Sequence, residues 1–168
     1  MKKKITSIFF ASQPNTGIGL VEVLVVVAII AIALVALAGV GNFTLKTSRQ
    51  LKNNLIAANL ATELLEVVRA MKEGNWASIS ALSVDNPYHP VKVGSPLKWA
   101  LAGDGENING FSRQVVLNNV FRDSNDDIVA SGGALDTGTK KIIVTVSWND
   151  SGQNFQLVLI SYLTNWKP

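Results

Sequence analysis

One carboxylate stands alone at the front of a long apolar run. Glu22 follows Gly17-Ile18-Gly19-Leu20-Val21, and residues 23–40 behind it carry no charge. A charge at the centre of a bilayer costs at least about 2.5 kcal/mol, so an acid in such a segment is functional by default. Its chemistry would be ionic, because a carboxylate in a low dielectric gains by pairing with a cation. The bland alternative is a carboxylate resting among lipid headgroups. The other candidates are weaker. Asp123, Asn125 and Asp127 could offer oxygen ligands to calcium, but the stretch lacks the glycine and terminal glutamate of an EF-hand loop. A solvated turn is the expected reading, and no metal site is assigned. His89, the single histidine, lies between Tyr88 and Pro90 with no companion ligand, and reads as an exposed loop residue. Ser112, Ser147 and Ser161 lack a nucleophile-elbow context, and there is neither a P-loop nor a dinucleotide fingerprint. Catalysis is therefore not expected, and neither is a cofactor. Trp76, Trp99, Trp148 and Trp166 are core or contact residues.

The absence of cysteine excludes disulfides, thiolate metal sites and cysteine nucleophiles. Three of the fifteen lysines and arginines are Lys2, Lys3 and Lys4, and the rest balance the twelve acids. The basic character thus belongs to the first residues and is poor evidence for nucleic-acid binding. Those lysines place the amino terminus in the cytoplasm. An ordinary signal peptide also starts basic, with Ala36-Leu37-Ala38 as its cleavage site, but the apolar run is too long and too far from Met1 for that. Residues 18–40 are long enough to cross a hydrocarbon core of about 30 Å as a helix. Valine and isoleucine are modest helix formers in water, yet in lipid the backbone has no partner outside the helix. Gly39 and Gly41 mark a place where the helix could soften.

The elements behind the run follow from periodicity. Residues 42–73 continue as helix, with Leu51, Leu55, Ala58, Thr62, Leu65 and Val68 as an apolar stripe and Gly74 as the stop. Glu66 and Arg69 are spaced to pair. Residues 75–109 are rich in turn signals and read as mainly loop, with a short strand near residues 98–101. Three strands follow, over residues 111–122, 140–148 and 153–163, the last two joined by a turn at Asn149-Asp150-Ser151-Gly152. The expected fold class is α+β: a long N-terminal transmembrane and amphipathic helix packed on a small antiparallel sheet.

Gly17, an apolar residue, Glu22 at the fifth position after the glycine, and then a hydrophobic helix resemble the class III leader of type IV pilins and type II secretion pseudopilins. Ile18 stands where that family most often has Phe, and Gly19 where Thr is common. The resemblance implies a leader of residues 1–17, a transmembrane and assembly helix over 18–43, and an extracytoplasmic pilin head over 44–168. It implies cleavage between Gly17 and Ile18 by the prepilin peptidase, N-methylation of Ile18, and assembly through Glu22, which neutralises the amine of a neighbouring subunit. Ala61-x-Glu63-x-x-Glu66-x-x-Arg69, with Lys72 and Asn75-Trp76, is similar to minor pilins of the V-type or I-type. The expected function is a structural minor subunit of a type IV pilus or type II pseudopilus, and not an enzyme. Its partners would be the peptidase/methyltransferase, other pilin subunits and the inner membrane, with no nucleic acid established. Its location would be the inner membrane as a single pass, then the filament at the cell surface. The alternative is a single-pass anchored extracytoplasmic binding domain that does not polymerise.

Overall fold

The computed structural model describes residues 19–166. Two helices and seven strands follow in the order α1 (Leu20–Gly74), α2 (Ala77–Ser80), β1 (Pro87–Val93), β2 (Lys98–Gly103), β3 (Glu106–Ile108), β4 (Phe111–Arg122), β5 (Ile128–Val129), β6 (Ala134–Asp150) and β7 (Gln153–Thr164). The chain divides into two compact units, Met1–Thr47 and Ser48–Pro168.

The described part of the first unit is helix. It is long and apolar enough to cross a membrane, and none of its apolar window is buried against protein. The helix runs through Gly39 and Gly41 unbroken, and the Thr44 hydroxyl donates back to the Val40 carbonyl at 2.9 Å, satisfying itself inside the helix.

The second unit is a long helix packed on an antiparallel sheet, so the α+β expectation holds. Ala57, Ala61, Leu64, Val68 and Met71 are buried, at steps of four, three, four and three, with Leu65 and Val67 beside them. This is one face of a helix. It differs from the stripe expected from the sequence: Leu51 and Leu55 are 64% and 63% exposed, and Thr62 is exposed. The difference is physical. The sheet takes up the helix only from about Ile56 onwards, and alanines at 57 and 61 allow close approach, whereas the pattern reading followed the larger leucines. α1 ends at Gly74, where the Met71 carbonyl accepts from the Asn75 N–H at 3.0 Å and the Ser78 hydroxyl at 3.0 Å.

The sheet is ordered β2-β1-β4-β6-β7, with β3 and β5 also pairing β4. Its inner face is built by alternation: Val115 and Leu117 on β4 and Ile142, Val144 and Val146 on β6 are fully buried. Trp148 packs between Phe111 and Phe155, with ring centroids 5.6 and 5.8 Å away. β4 and β7 fall where alternation places them. β6 is longer than expected because it continues past an irregularity: Asn119 pairs Lys140, but Val120 pairs Asp136. The β6–β7 hairpin closes through Ser151 and Gly152 at φ of 54° and 82°, the mirror-image turn that suits twisted strands. Residues 75–109 hold more strand than the turn signals suggested. β1 contains Pro90 because β4 pairs β1 only at Pro87 and Tyr88, so the proline sits where one side of the strand has no ladder to donate to.

Candidate membrane-anchoring and assembly site

Gly17 and Ile18, the expected cleavage pair, lie outside the described residues. Glu22 lies within them, in the first turn of α1. Its N–H donates to the Gly19 carbonyl at 2.9 Å, and that of Val23 to the same oxygen at 3.3 Å. The carboxylate thus stands at the positive end of the helix dipole. It is the sole charge among residues 19–45, and the apolar side chains around it, Leu20, Val21 and Val25 among them, are at least half exposed. The arrangement presents one anion at the edge of an uncovered apolar helix, with no ion-pair partner among the described residues.

The head places the other candidates at its surface. Asp123 closes a turn between β4 and β5: its Oδ1 accepts from the N–H groups of Asn125 at 2.8 Å and Asp127 at 3.0 Å. That oxygen is therefore occupied by backbone. Among the described residues, no three His, Cys, Asp or Glu side chains are grouped to hold a metal. Beside this turn, Arg122 donates to Asp136 at 2.8 Å and to the Asp126 carbonyl at 2.7 Å. The Arg122 hydrogen bond, then that of Thr139, hold the Asp136 carboxyl below its ordinary value of 3.8. His89, expected in an exposed loop, instead lies half-buried within β1, because Pro87–Val93 forms a strand here; its Nδ1 is 3.1 Å from the Asp104 carbonyl.

The charge pattern on α1 resolves into two parts. Glu66 and Arg69 pair along the helix at the surface, as their spacing implies. Glu63 instead reaches the sheet, where Arg113 donates to it at 3.0 Å, to Glu106 at 2.6 Å and to the Leu60 carbonyl at 3.3 Å. The Arg113 side chain is 5% exposed. This tie between α1, β3 and β4 was not anticipated. Its signal was present in the alternation of residues 111–117, which puts Arg113 on the core face beside Phe111 and Val115, where a cation requires an acid. At the β4–β6 irregularity, the ammonium of Lys140, itself a buried residue, donates to the neutral Asn119 Oδ1 at 2.7 Å.

Residues 13–38 match the family model for the prokaryotic N-terminal methylation motif. No curated protein and no solved structure matches the chain. The motif leads into an apolar stretch of α1 long enough to cross a membrane, and the later turns of α1 pack on an antiparallel sheet, an arrangement similar to that of pilin-type proteins. It fits the type IV pilin and pseudopilin family, whose members are processed by prepilin peptidase.

Proposed function

We propose that this chain is a structural subunit, minor and not major, of a type IV pilus or type II secretion pseudopilus. It is cut between Gly17 and Ile18, methylated on the Ile18 amine, held in the inner membrane as a single pass with its amino terminus cytoplasmic, and polymerised through residues 18–43. The head, residues 44–168, then faces outward. Glu22 neutralises the N-terminal amine of the neighbouring subunit, because an anion and a cation both withdrawn from water stabilise each other where either alone is costly. The observation that carries this reading is the methylation motif over residues 13–38, in register with Glu22 and an uncovered apolar helix. The minor-subunit reading rests on the Glu63, Glu66, Arg69, Lys72 and Asn75-Trp76 pattern.

The test is mass spectrometry of membrane-extracted protein. The expected mature chain begins with N-methylated Ile18, and Gly17→Ala is cut poorly or not at all. A mature chain that still begins at Met1, or that starts beyond Ala38, sinks the proposal.

A further inference from the structure

The two edges of the sheet differ in how they are protected. An unpaired edge strand is a template for another strand, and proteins blunt it with short length, lysine or proline. β2 follows that rule. It is six residues long, begins with Lys98 two residues after Pro96, and lies beside Lys92, whose Nζ is 4.7 Å from the Trp99 ring centroid. β7 does not. Its twelve residues, QNFQLVLISYLT, contain no charge and no proline. Among the described residues it pairs with β6 alone, without a bulge. Its outward side chains Val158, Ile160 and Tyr162 are 46%, 53% and 44% exposed, and Ile143 and Lys141 flank Ile160 and Tyr162 in register.

We infer that β7 is a strand-addition site, which accepts an extended, uncharged segment of another protein as the next strand of this sheet. A free edge presents N–H and C=O groups at the spacing of a peptide chain, over about 40 Å for twelve residues, and another backbone is the ligand that satisfies them all. The neutrality of the edge sets the partner's chemistry. A charged side chain beside Val158 and Ile160 would lose hydration with no opposite charge on β7 to offset it. A second copy of this chain pairing through β7 is the competing occupant, and the experiment separates it.

The full-length protein in detergent micelles tests this with a synthetic peptide of sequence IIVTVSW, residues 142–148 of the strand that β7 already accepts on its other side, with lysines added beyond its ends. The expected result is saturable binding and slowed hydrogen exchange at alternate β7 amides, those pointing away from β6. Val158→Lys with Ile160→Lys weakens binding by about tenfold or more, since lysine is the common edge guard, while the β6-facing amides stay protected and so report an intact fold. A peptide with proline at alternate positions does not bind. Unchanged exchange in β7, equal binding of the proline peptide, or undiminished binding by the lysine variant overturns the proposal, and so does self-association of the chain through β7. The readout is independent of processing: a chain that binds the peptide yet is never cut after Gly17 refutes the pilin reading alone.

Discussion

The two ends of α1 carry two different patterns of exposure. In the first turns of α1, valines and isoleucines face outward on every side and a single charge stands at the end. In the last turns, one face of small and medium residues is buried on the sheet while Glu66 and Arg69 occupy the exposed side. The first stretch has no apolar periodicity, the pattern expected of a helix surrounded evenly by lipid, where the backbone has no other hydrogen-bond partner. The second is held by packing, with a periodicity that the sheet imposes. The two stretches should therefore answer oppositely to the same kind of substitution.

The largest separation is expected for Glu22→Ala. Removing the acid makes the first stretch more apolar, so membrane insertion and cleavage proceed normally. Burying the neighbouring amine without its partner costs several kcal/mol, enough to reduce entry into filaments by orders of magnitude. Comparing sheared-filament and membrane fractions measures this, and equal incorporation of variant and wild type defeats the pairing mechanism. Head stability should not change. The second expected separation is Leu64→Ala against Ile30→Ala. Leu64 is fully buried, so its truncation should cost about 2–5 kcal/mol, read by denaturant unfolding of the full chain in detergent through its tryptophan signal. Ile30, 53% exposed on the uncovered stretch, should leave that transition where it is. Equal effects would erase the distinction between the stretches.

Much of this division was legible. The uncharged run, the helix stop at Gly74, the alternation over residues 111–122 and the Asn149–Gly152 turn are local signals, each set by residues adjacent in sequence. What was not legible depends on partners far along the chain. The buried face of α1 is chosen by where the sheet first covers it, so Ala57 and Ala61 matter more than Leu51 and Leu55. β1 was hidden because Pro87 and Pro90 resemble a turn until the one-sided pairing of the strand is known. Arg113 was overlooked because its acids, Glu63 and Glu106, come from two other elements.

Arg113 sharpens the comparison on the covered side. Arg113→Met keeps the length and apolar stem of the side chain but leaves Glu63 and Glu106 facing the sheet without a cation. Breaking a fully buried pair costs about 3–5 kcal/mol. Glu63 is 55% exposed and Glu106 26%, so water recovers part of this and about 2 kcal/mol is expected, on the same unfolding transition. Adding Glu63→Gln and Glu106→Gln to the Arg113→Met variant should restore part of the loss, because it removes the orphaned charges. No restoration would mean that Arg113 stabilises by packing alone.

The smallest effect belongs to the surface pair at the far end of β4. The Arg122 guanidinium holds the Asp136 carboxyl below 3.8, so the unfolded chain binds that proton more tightly than the folded one. The stability this provides is complete above about pH 4 and fades as pH falls through the lowered folded value. Arg122 and Asp136 are 28% and 20% exposed, and such pairs typically contribute little. Asp136→Asn should therefore shift the neutral-pH midpoint only slightly, and its distinguishing mark is the pH profile. Below about pH 4, the wild-type chain should lose stability more steeply than the variant, the two curves converging at the acid end. Parallel curves would show that the carboxylate makes no differential contact in the folded state. Because the pair is at the surface, the gap between the curves should also narrow in high salt, whereas the cost of Arg113→Met, set inside the head, should persist.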